Sequence, residues 1–149
     1  MKIEIEYQGG TCYWKNKVTA SALYAAAILS TPDFLQRVAL HPSFDFTDKS
    51  SLQVAGVIKT TEVAKIKVGF YYKWWFTKAI AYEQDGAVYF NTAKEGYGAG
   101  DWPNVMHELL HSLGFQHNGN SPSGQQNTVP WKVVELAKTW LAEGGKIAS

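Results

Sequence analysis

Apolar and charged residues alternate from Lys2 to Tyr7, with Ile3, Ile5 and Tyr7 on one side and Lys2, Glu4 and Glu6 on the other. A repeat of two marks a half-buried strand, so the chain opens on β structure. Gln8, Gly9 and Gly10 turn it. From Thr19 to Leu29 the repeat lengthens, with Leu23, Ala26 and Ala27 at helical spacing in an alanine-rich run, which predicts a helix packed on a sheet. Thr31, Pro32 and Asp33 start a second helix that reaches about Leu40, where His41, Pro42 and Ser43 break it. Phe44 to Thr61 has no decisive period, and Ser51–Ile58 fits a helix or a strand. Strands are predicted over Lys65–Tyr72, Lys78–Glu83 and Ala87–Thr92, the last two joined through Gln84, Asp85 and Gly86 as a hairpin. After a loop with Gly96, Gly98 and Gly100, Asp101, Trp102 and Pro103 start a helix over Asn104–Leu113 that Gly114 stops. A loop from Asn118 to Asn127 follows. Pro130 then opens a last helix, with Val133, Val134, Leu136, Ala137 and Leu141 at helical spacing and Gly144 and Gly145 at its end. The pattern predicts one α+β domain over residues 1–149, without repeat or linker.

Composition narrows the partners. Apolar residues make up 46% of the chain and charged residues 18%, the balance of a folded globule rather than a disordered chain. A net charge of +1 gives no reason to expect nucleic acid or a membrane as partner, and a monomer is expected. The single cysteine, Cys12, rules out an internal disulfide and is expected to be a small buried hydrophobe; a sharper alternative is a thiolate reaching a metal from the amino-terminal side. Met1–Tyr7 lacks the features of a secretory signal, and no run approaches the roughly 20 apolar residues that span a bilayer, so the chain as given is expected to be soluble.

Chemistry concentrates in His107, Glu108, Leu109, Leu110, His111, Ser112, Leu113, Gly114, Phe115, Gln116 and His117, which read HExxHxxGxxH. On a helix, His107 and His111 share a face and can point at one ion about 2.0–2.1 Å from each nitrogen. Glu108, beside the first of them, is placed to take a proton from a water activated there. His117 cannot share that face if the helix continues. Gly114 tolerates the left-handed backbone that ends a helix, so the chain can turn and bring His117 back. Three protein ligands leave a position open, the mark of a catalytic site. Independent residue usage gives the full pattern a chance expectation on the order of 10⁻⁵ in a chain of this length, which makes the reading specific.

The motif resembles that of the metzincins, the superfamily of astacins, serralysins, reprolysins and matrix metalloproteinases. The resemblance implies one catalytic Zn²⁺ held by His107, His111 and His117, with Glu108 as general base in a zinc-dependent endopeptidase. It implies a twisted mixed sheet with an antiparallel edge strand, a backing helix, an active-site helix and a C-terminal helix. An extended peptide or protein substrate would pair with the edge strand, which chain order assigns to Ala87–Thr92. It also suggests a secreted protein. Metzincins carry a methionine turn after the third histidine, whereas this chain has only Met1 and Met106. Val129 stands where the methionine is expected, and Trp131 where some members have a tyrosine. That departure motivates an alternative, a zinc-containing binding or structural module with weak or no proteolytic activity; a third reading is hydrolysis of non-peptide amides or esters. Elsewhere, Tyr71, Tyr72, Trp74, Trp75 and Phe76 read as strand core and hairpin end rather than a stacking surface. His41 reads as a solvated turn residue, and Lys59, Lys65 and Lys67 with Glu62 as a solvated face.

Overall fold

Strand β1 (Lys2–Gln8) and strand β2 (Val63–Tyr71) run parallel with Ile3 beside Ala64, Ile5 beside Ile66 and Tyr7 beside Val68. This register puts the apolar side chains of both strands on one face, where they join the core. The opposite face pairs Glu4 with Lys65 and Glu6 with Lys67, in loose and exposed ion pairs that contribute little to stability. The computed structural model describes residues 1–75, 77–119 and 123–148. β2 is continued on its other side by β4 (Ala87–Asn91), again parallel, and β3 (Ala81–Gln84) pairs antiparallel with β4. The order is β1-β2-β4-β3. The strand with a free edge beside the hairpin is therefore β3, which corrects the assignment of Ala87–Thr92: a parallel β4 must lie inside, because the tight turn through Asp85 and Gly86 folds β3 outward.

Helices cover the apolar face. The first, α1, spans Cys12–Leu29, seven residues earlier than its alanine-rich part announces. Thr11 caps it by accepting from the Trp14 N–H, and Trp14 and Val18 continue the buried stripe of Ala22, Ala25 and Leu29. Lys15, Asn16 and Lys17 mask that stripe in the sequence. Cys12 lies exposed in the first turn, contrary to the expectation of burial. Helix α2 (Pro32–Ala39) follows. The undecided stretch resolves into α3 (Ser51–Thr60), set by a capping box in which the Ser50 hydroxyl accepts from the Gln53 N–H while the Gln53 side chain accepts from the Ser50 N–H. A 3₁₀ turn (Thr92–Tyr97) leads to α4 (Trp102–Ser112), and α5 (Val129–Ala142) closes the fold.

α4 is the central helix, touching α1, α5 and β2. Val105, Met106, Leu109 and Leu110 are wholly buried, which fixes its rotation and turns His107 and His111 away from the deepest core. No single helix among the described residues is long and apolar enough to cross a membrane. The aromatic run departs from its expected place. β2 ends at Tyr71, and Tyr72, Trp74 and Trp75 are exposed beyond it; Phe76 lies outside the described residues, as does part of the loop expected over Asn118–Asn127.

Candidate metal centre

The end of α4 is built as a Schellman turn. Gly114 adopts φ 97°, its N–H donates to the His111 carbonyl at 2.9 Å, and the Phe115 N–H donates to the Leu110 carbonyl at 3.3 Å. Phe115 is buried against the same core as Leu109 and Leu110, which holds the chain where it reverses. This turn has two consequences. It returns His117 to the helix face that carries His107 and His111. It also places the Phe115 carbonyl 2.8 Å from His111 Nδ1, and since a carbonyl only accepts, Nδ1 carries the proton. With Nδ1 engaged in this way, the ring presents Nε2 to an ion.

The three Nε2 atoms form a nearly equilateral triangle. His107 to His117 is 3.0 Å, and His111 lies 3.1 Å from each of the other two. Three basic nitrogens this close crowd their lone pairs at one point, an arrangement that a cation relieves. Three imidazole donors converging on one point are a set that would hold a divalent metal favouring nitrogen ligands, so the donor set fits such an ion. His107, His111 and His117 are thus brought together as the sequence implied, and they can hold a metal ion. Neither Cys12 nor His41 joins them.

Burial, with the nearby charges of His111 and His117 second, pushes the His107 pKa down to about 3. Burial and then His111 lower that of His117 as well. The Pro130 and Gly119 carbonyls lie near these two rings and favour their protonated forms, yet the buried Nδ1 atoms of His107 and His117 have no partner at hydrogen-bonding geometry among the described residues. Glu108 stands in a cavity of about 180 Å³ that it shares with His111, Ile66, Val88 and Glu83. Desolvation, and secondarily the negative charge of Glu83, pushes its pKa up to about 7. A second cavity, of about 460 Å³, opens beside His107 and is lined by Ile80, Pro103, Asn104 and Trp131 among others.

The floor was the part the sequence located least well. Val129 is buried in the general core, beside Leu113 and Phe115, rather than under the imidazoles. Trp131 takes that place: its ring centre lies 4.4 Å from His107 in an edge-on contact and 5.8 Å from His117. The segment that carries it is tied to the loop after α2. Asn127 accepts from the Asp45 N–H at 3.0 Å, its side-chain amide donates to the Ser43 carbonyl at 3.0 Å, and His41 Nε2 lies 2.8 Å from its Oδ1. His41, also against Phe44, is therefore a tether rather than a solvated turn residue. The signal in the sequence was only its distance from Asn127, which no local period reveals.

The paired shifts give the metal-free chain a distinctive acid response. His107 binds a proton at about pH 3 in the fold and near 6.5 when unfolded, so the unfolded state takes up more protons between those values and stability falls as pH drops. Glu108, raised to about 7 from 4.5, keeps its proton longer in the fold, so stability falls as pH rises through that window. Each slope reaches about 1.4 kcal/mol per pH unit, and the two oppose one another wherever they overlap. Between pH 6.5 and 4.5 they offset, with His117 adding a tilt towards lower stability in acid, and below 4.5 His107 acts without opposition. Urea titrations of chelator-treated protein are expected to show a shallow region there and a steep loss below it, and Glu108→Gln to start the steep loss near pH 6.5. Identical profiles for the two proteins would show the buried pair is not coupled to folding.

No protein-family model, curated protein or solved structure matches this chain.

Proposed function

We propose that the chain is a zinc-dependent endopeptidase of the metzincin type, with Zn²⁺ held by His107, His111 and His117 and Glu108 as general base. The observation that carries this reading is the convergence of three Nε2 atoms within 3.1 Å of one another, with a carboxyl that shares a cavity with His111 and has its pKa pushed up to about 7. The ion, when bound, supplies Lewis acidity to the water and to the scissile carbonyl. Glu108 accepts a proton from water as its oxygen attacks the carbonyl carbon. It then delivers that proton to the amine nitrogen as the C–N bond breaks, leaving a carboxylic acid and an amine, and the acid's remaining proton passes to the amine to give a carboxylate and an ammonium. A base with a pKa near the working pH suits both transfers.

The sheet supports an extended substrate. Ile80, just before β3, lines the cavity beside His107, and Glu83, within β3, lines the cavity that holds Glu108. β3 and the residue before it thus border both cavities, and the outer edge of β3 has no strand partner among the described residues. A peptide added there gains main-chain hydrogen bonds, and the 460 Å³ cavity takes a side chain next to the scissile bond.

The chain, stripped of metal and given Zn²⁺, is expected to retain one ion per molecule and to cleave casein or a mixed peptide library, with activity lost to a chelator and restored by Zn²⁺. Failure to hold an ion sinks the site itself. A bound ion without cleavage of peptides leaves the metal-holding module, and cleavage confined to simple esters or amides leaves the non-peptide hydrolase.

A further inference from the structure

We propose that the exposed residues 72–75 and Lys78, between β2 and β3, form a membrane contact that docks the protein on an anionic lipid surface. Residues 72–75, 78 and 79 are all exposed, and they include Tyr72 at 65%, Trp74 at 63% and Trp75 at 47%. Large rings in water are expected to be covered or functional when they cluster. Here the exposure is built into the fold rather than left by a loose end. Asn91, wholly buried at the end of β4, accepts from the Lys73 N–H at 3.0 Å and donates to the carbonyls of Lys73 at 2.6 Å and Ala79 at 3.2 Å. Thr92 donates to the Tyr71 carbonyl, and Lys94 donates to the Trp74 carbonyl at 3.2 Å. The base of the loop is clamped while Tyr72, Trp74 and Trp75 face out.

Charge identifies the partner. From Val63 to Tyr82 there is no acidic residue, so the near-neutral total of the whole chain conceals a one-signed stretch. Lys65 and Lys67 are offset by Glu4 and Glu6, but Lys73 and Lys78 on the loop enter no ion pair among the described residues. Indole and phenol rings interleaved with free lysines match the boundary of an anionic bilayer, where amphipathic rings rest among the headgroups and cations meet their charge. A base or a sugar chain is a poorer fit, because Trp74 and Trp75 stand at 81° to one another, 6.1 Å apart, and offer no shared flat platform. The loop leads directly into Ile80 and β3, so docking would hold the mouth of the histidine site towards the lipid surface. The expectation of no membrane partner rested on net charge alone and does not account for this local arrangement.

The proposal is independent of the metal chemistry, and its test uses the full chain with and without Zn²⁺. The chain is expected to sediment with vesicles of phosphatidylcholine and phosphatidylserine but far less with phosphatidylcholine alone, with a blue shift of its tryptophan emission and release by salt. Lys73→Ala with Lys78→Ala is expected to weaken binding about 25-fold, at roughly fivefold per lysine near an anionic surface. Trp74→Ala with Trp75→Ala is expected to abolish the shift while thermal melting stays unchanged, since both rings are exposed. No binding of the native chain to the anionic vesicles overturns the proposal, as does equal binding by the tryptophan variant. So does self-association that ignores vesicles and disappears in the tryptophan variant, which assigns the loop to a protein contact. A chain that binds vesicles yet cleaves no peptide removes the peptidase reading alone.

Discussion

Glu108→Gln is expected to keep one Zn²⁺ per chain and to lower peptide hydrolysis by about 10²–10⁴-fold, the range over which a positioned acid–base group acts. Three imidazoles make up the cluster that could hold the ion, and the carboxyl is outside it, so the substitution leaves those donors intact. The amide has nearly the same shape as the carboxyl but cannot accept the proton that water must lose. Glu108 is also costly to the fold when ionised, because burial and Glu83 both oppose its charge. The neutral amide removes that cost, so the variant is expected to be at least as stable as the native chain at pH 8. Loss of activity then cannot be ascribed to unfolding. Metal analysis, denaturant unfolding and kcat/KM on one peptide decide it, and a variant that retains activity within tenfold rejects Glu108 as the base.

The three-histidine cluster was legible because it is local: four residues of helix put His111 over His107, and a glycine that ends the helix is enough to return His117. What surrounds the site depends on contacts made across long stretches of chain. The two residues between β3 and β4 specify the hairpin, but not which strand lies inside, since that follows from β4 pairing parallel with β2. α3 carried a readable capping box at Ser50 and Gln53, whereas its apolar pattern alone fits either kind of element. The aromatic run looked like strand because rings usually supply core, and its exposure is decided by Asn91, a buried side chain some eighteen positions away. Val129 and Trp131 are two apart in the chain, and the turn into α5 decides which of them meets the imidazoles.

Trp131 therefore carries the second large effect. Its indole packs on His107 and His117 while its buried N–H has no partner among the described residues, a loss of about 1–3 kcal/mol relative to a satisfied donor. The ring is thus held for its shape against the histidines rather than for a hydrogen bond of its own. Trp131→Phe, which keeps an aromatic face and removes the orphan donor, is expected to hold Zn²⁺ within a few fold of the native affinity and to fold no less stably. Trp131→Ala leaves His107 and His117 free to rotate, and is expected to weaken Zn²⁺ binding by about 10–100-fold, the range seen when groups that orient metal ligands are removed. Among the described residues the other tryptophans make no ring contact with these histidines, so Co²⁺ bound at the site should quench emission far less in Trp131→Phe than in the native chain. An alanine variant that folds and binds as tightly as the native chain would mean that the imidazoles are oriented without the indole, by the Gly114 turn and by backbone carbonyls such as that of Phe115 at His111.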